Sequence, residues 1–160
     1  MKQAIVVMAL LMSSPALACS FARTLEDFEI EVSESIEPKS TKFEVTEIVR
    51  GQNDGDPYSC SDAGVIILKA IEMPPDTGFI FKLVKGEFED MLFEEEPVVP
   101  SGFVNPNEFV FIWLDGSSYE QEAFDIEVQI TPVSRSGTRG EPTYLNISHP
   151  GRERPWWRFW

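Results

Sequence analysis

Apolar and polar residues alternate four times along Phe124-Asp125-Ile126-Glu127-Val128-Gln129-Ile130-Thr131, the period of two that marks a strand with one buried face. Residues 79–85 place Phe79, Phe81 and Leu83 on one face and stop at Gly86, which predicts a second strand. Residues 65–71 and 109–114 are continuous apolar runs rich in branched or aromatic side chains; too short to prefer a helix, they predict central strands covered on both sides. Residues 41–50 alternate through Phe43 and Val45 and then slip phase to Ile48, as a strand does when it carries a bulge. Residues 144–147 and 91–93 are shorter candidates. Residues 25–34 are ambiguous, because Leu25, Phe28, Glu29 and Val32 also fit one short amphipathic helical turn.

The breaks carry turn chemistry: Gly51 to Pro57, Pro74-Pro75-Asp76-Thr77-Gly78, Pro97 to Pro106, and Asp115-Gly116-Ser117-Ser118. Strands at this spacing, with no long helical period, predict an all-β, two-sheet sandwich of about seven strands. Its core is expected from Phe43, Val45, Ile66, Leu68, Phe79, Phe81, Leu83, Phe111, Trp113, Ile126, Val128 and Ile130, which combine strand alternation with large apolar side chains.

One stretch is more specific. Ile126-x-Val128-x-Ile130-Thr131-Pro132-Val133-Ser134-Arg135-Ser136-Gly137-Thr138-Arg139-Gly140-Glu141-Pro142 resembles the last hairpin of fibronectin type III and related immunoglobulin-like domains. There an alternating strand F enters an Asp-x-x-Gly-Asn turn and leaves through Ser-Glu-Pro into strand G. Ser134 stands at the usual Asp, Thr138 at the usual Asn and Gly140 at the usual Ser, while Gly137, Glu141 and Pro142 match. Ile126 replaces the tyrosine that commonly opens strand F, so no tyrosine corner forms from that position. The resemblance implies strands A at 41–50, B at 65–71, C at 79–85, C′ at 91–93, E at 109–114, F at 124–131 and G at 144–147. It also implies a non-catalytic binding or spacer role, although such a fold hosts many functions.

The N-terminus reads as an export signal over residues 1–18: Lys2, an apolar run from Ala4 to Met12, and Ala16-Leu17-Ala18 before Cys19. Elsewhere nothing approaches the roughly 20 apolar residues of a transmembrane helix. Cleavage would make Cys19 the first mature residue, which leaves two readings. Either it pairs with Cys60, the only other cysteine, or it is lipidated, since Leu17-Ala18-Cys19 resembles the end of a bacterial lipoprotein signal. The expected product is therefore periplasmic or secreted, with a lipid-anchored envelope lipoprotein as the alternative.

Charge sharpens the picture. The formal net charge is −14, which repels phosphate backbones and argues against nucleic acid as a partner. It is unevenly spread: residues 19–127 hold 25 acidic and 7 basic side chains, residues 128–160 hold 2 and 5. The domain is expected over 19–148, followed by a Trp/Arg-rich tail over 149–160. That tail carries Arg152, Arg154, Trp156, Trp157, Arg158, Phe159 and Trp160, a composition favoured at protein interfaces and membrane headgroups; burial of the rings on the chain's own sandwich is the other reading.

Candidate chemistry is sparse. Asn53, Asp54, Asp56 and Asp62 gather carboxylates and an amide in one glycine-containing stretch, as calcium sites do. Calcium wants about six to eight oxygens, however, and the spacing lacks the EF-hand alternation, so a solvated turn accounts for them as well. Trp113 and Asp115 end a strand without a second acid at a diagnostic spacing, and His149 lies between Ser148 and Pro150. These features lead to an exported, non-catalytic binding or envelope module, its partner an unknown protein or glycan, with no cofactor. A carboxylate-dependent glycan hydrolase is the alternative, because sandwich glycosidases set two acids beside aromatic platforms.

Overall fold

The computed structural model describes residues 21–32, 34–52, 54, 56, 59–88, 92–116 and 121–152. The export segment, Cys19, Asn53, Met91 and residues 153–160, with Arg154, Trp156, Trp157, Arg158, Phe159 and Trp160, lie outside them. The described residues form eight strands and no helix: β1 (Leu25–Asp27), β2 (Phe43–Val49), β3 (Ala63–Ala70), β4 (Thr77–Lys85), β5 (Val98–Pro100), β6 (Glu108–Leu114), β7 (Phe124–Ser134) and β8 (Thr143–His149). Among them, accordingly, no helix is long and apolar enough to cross a membrane.

The strands make two antiparallel sheets, β1-β5-β4-β7-β8 and β2-β3-β6. The alternating run becomes β7, and its register against β4 sets Phe81 opposite Ile130 and Leu83 opposite Val128. In the smaller sheet Ile66 faces Phe111 and Leu68 faces Phe109. The two apolar faces close on each other through rings: Phe79 meets Phe109 at 5.6 Å and 85°, and Phe81 meets Phe111 at 5.0 Å and 70°, the edge-to-face geometry that aromatic quadrupoles favour. Of the expected core, all but Phe43, Val45 and Leu83 are buried, and those three pack against it partly buried.

Several expectations needed correction. β3 and β6 are not covered on both sides: Val65, Ile67, Val110 and Ile112 are half-buried on the outer face of the smaller sheet. The expected strand at 91–93 does not form at Leu92 and Phe93; Phe93 instead stacks on Phe81 at 6.3 Å and meets Phe111 at 4.9 Å. The strand beside β4 is β5, in a stretch that Pro97 and Pro100 make look like pure loop. The described residues of 25–34 form no helical turn, because Leu25–Asp27 finds a partner in β5. The phase slip in β2 is a bulge, its register shifting between Val45 and Glu47 so that Ile48 pairs with Ile66.

The turn between β7 and β8 obeys its sequence. Gly137 donates to the Ser134 carbonyl at 2.8 Å and Ser134 to the Thr138 carbonyl at 3.0 Å. Gly137 takes a φ of 77°, which glycine adopts without strain.

Phe81 joins more rings than any other side chain described, touching Phe43, Phe93, Phe109 and Phe111. Phe81→Ala should therefore cost about 3–5 kcal/mol, read as a lowered thermal midpoint; an unchanged midpoint would contradict this packing.

Candidate functional site

β2 and β6 both run antiparallel to β3, so their C-terminal ends reach the same pole of the sandwich. β2 hands over to Arg50-Gly51 and β6 to Asp115-Gly116. Two strand spacings, about 10 Å, separate those chains, a gap that an arginine side chain spans. Arg50 does so in bidentate fashion, Nε donating to Asp115 Oδ2 and Nη2 to Oδ1, each at 2.7 Å. The pair is deeply placed, with side-chain exposures of 10% for Arg50 and 4% for Asp115.

A buried ion pair is tolerated only when its remaining valences are filled. Asp115 accepts three further hydrogen bonds: from the Gly51 amide at 2.7 Å, Gln121 Nε2 at 3.0 Å and the Trp113 indole at 3.2 Å. Burial pushes its carboxyl up, but the Arg50 hydrogen bonds, the Gly51 amide, the Arg50 charge and the indole outweigh it, and the group is held below the ordinary aspartate value. Arg50 is equally committed, its Nη1 donating to the Glu122 carbonyl and to His149 Nδ1, both at 3.1 Å, while its guanidinium stands 5.5 Å over Phe124.

His149 closes β8, half-buried, its ring stacked on Phe124 at 6.1 Å and 26°. Because Nδ1 accepts from Arg50 and from the Gly151 amide at 3.0 Å, the ring proton belongs on Nε2 and the imidazole is neutral. Burial, then the Arg50 charge, lowers its pKa against a smaller opposing pull from Asp115.

The cluster borders a cavity of about 270 Å³ lined by Arg50, Glu87, Phe88, Trp113, Gln121 and Phe124 among others. A larger hollow, about 490 Å³, lies at the opposite pole among Ile36, Pro38, Pro74, Pro75 and Arg135; there Arg135 bridges Asp76 at 2.9 Å and Glu31 at 3.3 Å.

Sequence reasoning named Trp113 with Asp115 and His149 apart from them, and the structure brings all three together. Asp115, held ionised, has no proton to give as a general acid, and both its oxygens already accept hydrogen bonds. The residues that join the three, Arg50 and Gln121, went unread. Arg50-Gly51 and Asp115-Gly116 form matching charge-glycine pairs at two strand ends, a signal available in retrospect; Gln121 offered none.

Among the described residues no group of three or more His, Cys, Asp or Glu residues is placed to hold a metal; of the suggested ligands, Asn53 lies outside them. Asp54 Oδ1 instead accepts from the Asp56 amide at 2.8 Å, and that bond, with Ser59 next in weight, lowers its pKa. Asp62 contributes through its backbone carbonyl, which receives the Asp115 and Gly116 amides at 3.1 Å. Cys60 is disulfide-bonded; Cys19 lies outside the described residues. Of the tail, Arg152 is described, exposed and paired with Gln121.

The lowered pKa values of His149 and Asp115 set the acid response of this pole. The native His149 binds its proton less readily than the unfolded chain, so stability should decline as pH falls below about 6.5. Asp115 is likewise depressed, and its contribution, complete above about pH 4, disappears as pH drops through the native value. Thermal melts across pH should show the upper decline in the wild type and lose it in His149→Gln, whose Oε1 still accepts from Arg50; an identical profile in both would contradict the assignment. Asp115→Ala, which strands the buried Arg50, should cost about 3–5 kcal/mol. Beside this geometry, no family model, curated protein or solved structure gives a significant match to the chain.

Proposed function

We propose that the chain is an exported sandwich module of the fibronectin type III kind that acts by binding a protein or glycan at the cell envelope or outside the cell, without catalysis. The observation that carries this reading is the strand order. With β2, β3 and β6 lettered A, B and E, β4, β7 and β8 lettered C, F and G, and β5 taking the C′ place that 91–93 was expected to fill, the sheets run A-B-E and C′-C-F-G, with β1 added outside C′. That arrangement, together with the Ser134–Gly137 turn, supports the family resemblance. A hydrolase finds less support, because the carboxylate beside Trp113 is consumed by Arg50.

Export is supported by the disulfide at Cys60, since such bonds persist in oxidising compartments. Cys19 is its natural partner. Thr24 Oγ1 donates to the Val110 carbonyl at 2.7 Å, which ties the residue before β1 to β6. The N-terminal segment is also held without the disulfide, by β1, by Glu31 N donating to Arg135 O at 2.6 Å, and by the Ser35–Thr138 hydroxyl pair at 2.7 Å.

Two measurements test this. Intact mass of the protein from its host should show a chain beginning at Cys19 and lighter by one pair of hydrogens; a diacylglycerol-sized increase with an alkylatable Cys60 would make it a lipoprotein. In co-sedimentation, the full chain should pellet with host envelope glycan, and replacement of Trp156, Trp157 and Trp160 by Ser should leave it in the supernatant. A wild type that stays in the supernatant with envelope glycan and with envelope protein would overturn the binding reading.

A further inference from the structure

The path of the chain where it leaves β8 is tightly set. Gly151 has a φ of 73°, and a side chain there would collide with the Gln121 carbonyl and the Ala123 amide, so only glycine lets the chain turn against the loop before β7. The turn is pinned on both sides: the Gly151 amide donates to His149 Nδ1 at 3.0 Å, and Arg152 exchanges hydrogen bonds with Gln121 at 2.8 and 3.1 Å. Gln121 is itself a wall of the 270 Å³ cavity. Arg152, the last residue described, is thereby paired with a residue of that wall.

The chemistry of that cavity matches the C-terminal octapeptide. Phe88, Trp113 and Phe124 meet edge to face at 5.3, 5.3 and 6.3 Å, and the exposed carboxylates of Glu87 and Glu122 belong to the same lining. Phe124 already receives one guanidinium, that of Arg50. Residues 153–160 supply Arg154, Arg158, three indoles and Phe159, and fully extended they reach about 26 Å. A second hollow of about 330 Å³ also touches Gln121, but Arg50, His149 and Arg152 line it without a carboxylate, so it repels the same segment.

We propose that residues 153–160 dock into the Phe88–Trp113–Phe124 cavity of their own chain, with an indole against the aromatic lining and Arg154 and Arg158 paired with Glu87 and Glu122. The proposal goes beyond the binding-module reading: any outside partner that takes these residues must first displace them from this cavity.

Acrylamide quenching of tryptophan fluorescence in the full chain tests it, because Trp113 is buried and the quenchable signal reports Trp156, Trp157 and Trp160. The wild type should be protected relative to a synthetic peptide of residues 152–160. Glu87→Lys with Glu122→Lys should shift the docking equilibrium toward the free segment by about tenfold, the loss of two exposed ion pairs, whereas Glu94→Lys, away from the cavity, should leave it unchanged. Adding Arg154→Glu and Arg158→Glu to the double variant should restore protection, an outcome that a merely destabilised fold would not give. Quenching equal to that of the peptide in the wild type, protection indifferent to Glu87 and Glu122, or protection found only in a sedimenting dimer would each overturn the proposal; none of these depends on whether the chain binds envelope material.

Discussion

One carboxylate holds the pole of this sandwich together. Asp115 is nearly sealed from water, and an isolated charge there would be prohibitive. It persists because Arg50, Gly51, Trp113 and Gln121 all donate to it. Each donor belongs to a different part of the chain: the end of β2, the turn after it, the last inward residue of β6 and the loop before β7. Through Arg50 the network reaches His149 on β8, and so binds the two sheets at their rims, where the ring-packed core thins out. Space is as constrained as charge. Gly64 pairs with Trp113 across β3 and β6, and any side chain at 64 would strike the indole, so the ring that donates to Asp115 is seated by a missing Cβ.

The core was legible because its determinants are local. Ile126, Val128 and Ile130 repeat with the period of the pleat, and their burial against Phe81 and Leu83 required only that two such faces meet. The bulge in β2 was visible for the same reason, as a slip in that period. The features that escaped were decided by partners distant in sequence. Val98–Pro100 follows Pro97 and ends on Pro100, which depress any strand reading, yet it forms because β1 and β4 flank it on either side. Leu25–Asp27 is a strand only because β5 offers it an edge. Phe93, read as part of a strand, is a plug: ring size, not alternation, placed it.

The polar pole was half legible. Trp113, Asp115 and His149 stood out as chemistry-bearing types, but pairing them needed the topology that puts the ends of β2, β6 and β8 side by side. Arg50 and Gln121 read as ordinary surface residues, because an ion pair spanning 65 positions leaves no periodic trace. The consequence is that residues resembling parts of an active site serve to join strands, while the cavity beside them keeps its aromatic lining and its exposed carboxylates.

If Asp115 couples these separate strand ends into one unit, its loss must be felt where it makes no contact. Native-state hydrogen exchange on Asp115→Asn, under conditions where the core of β3 and β7 stays protected, reads this out. The amides of Gly51, Gln121, Gly151 and Arg152 should lose protection together, although Gly151 and Arg152 do not touch the carboxylate. Loss confined to Gly51, with the Gln121–Arg152 pair as slow to exchange as in the wild type, would contradict the coupling.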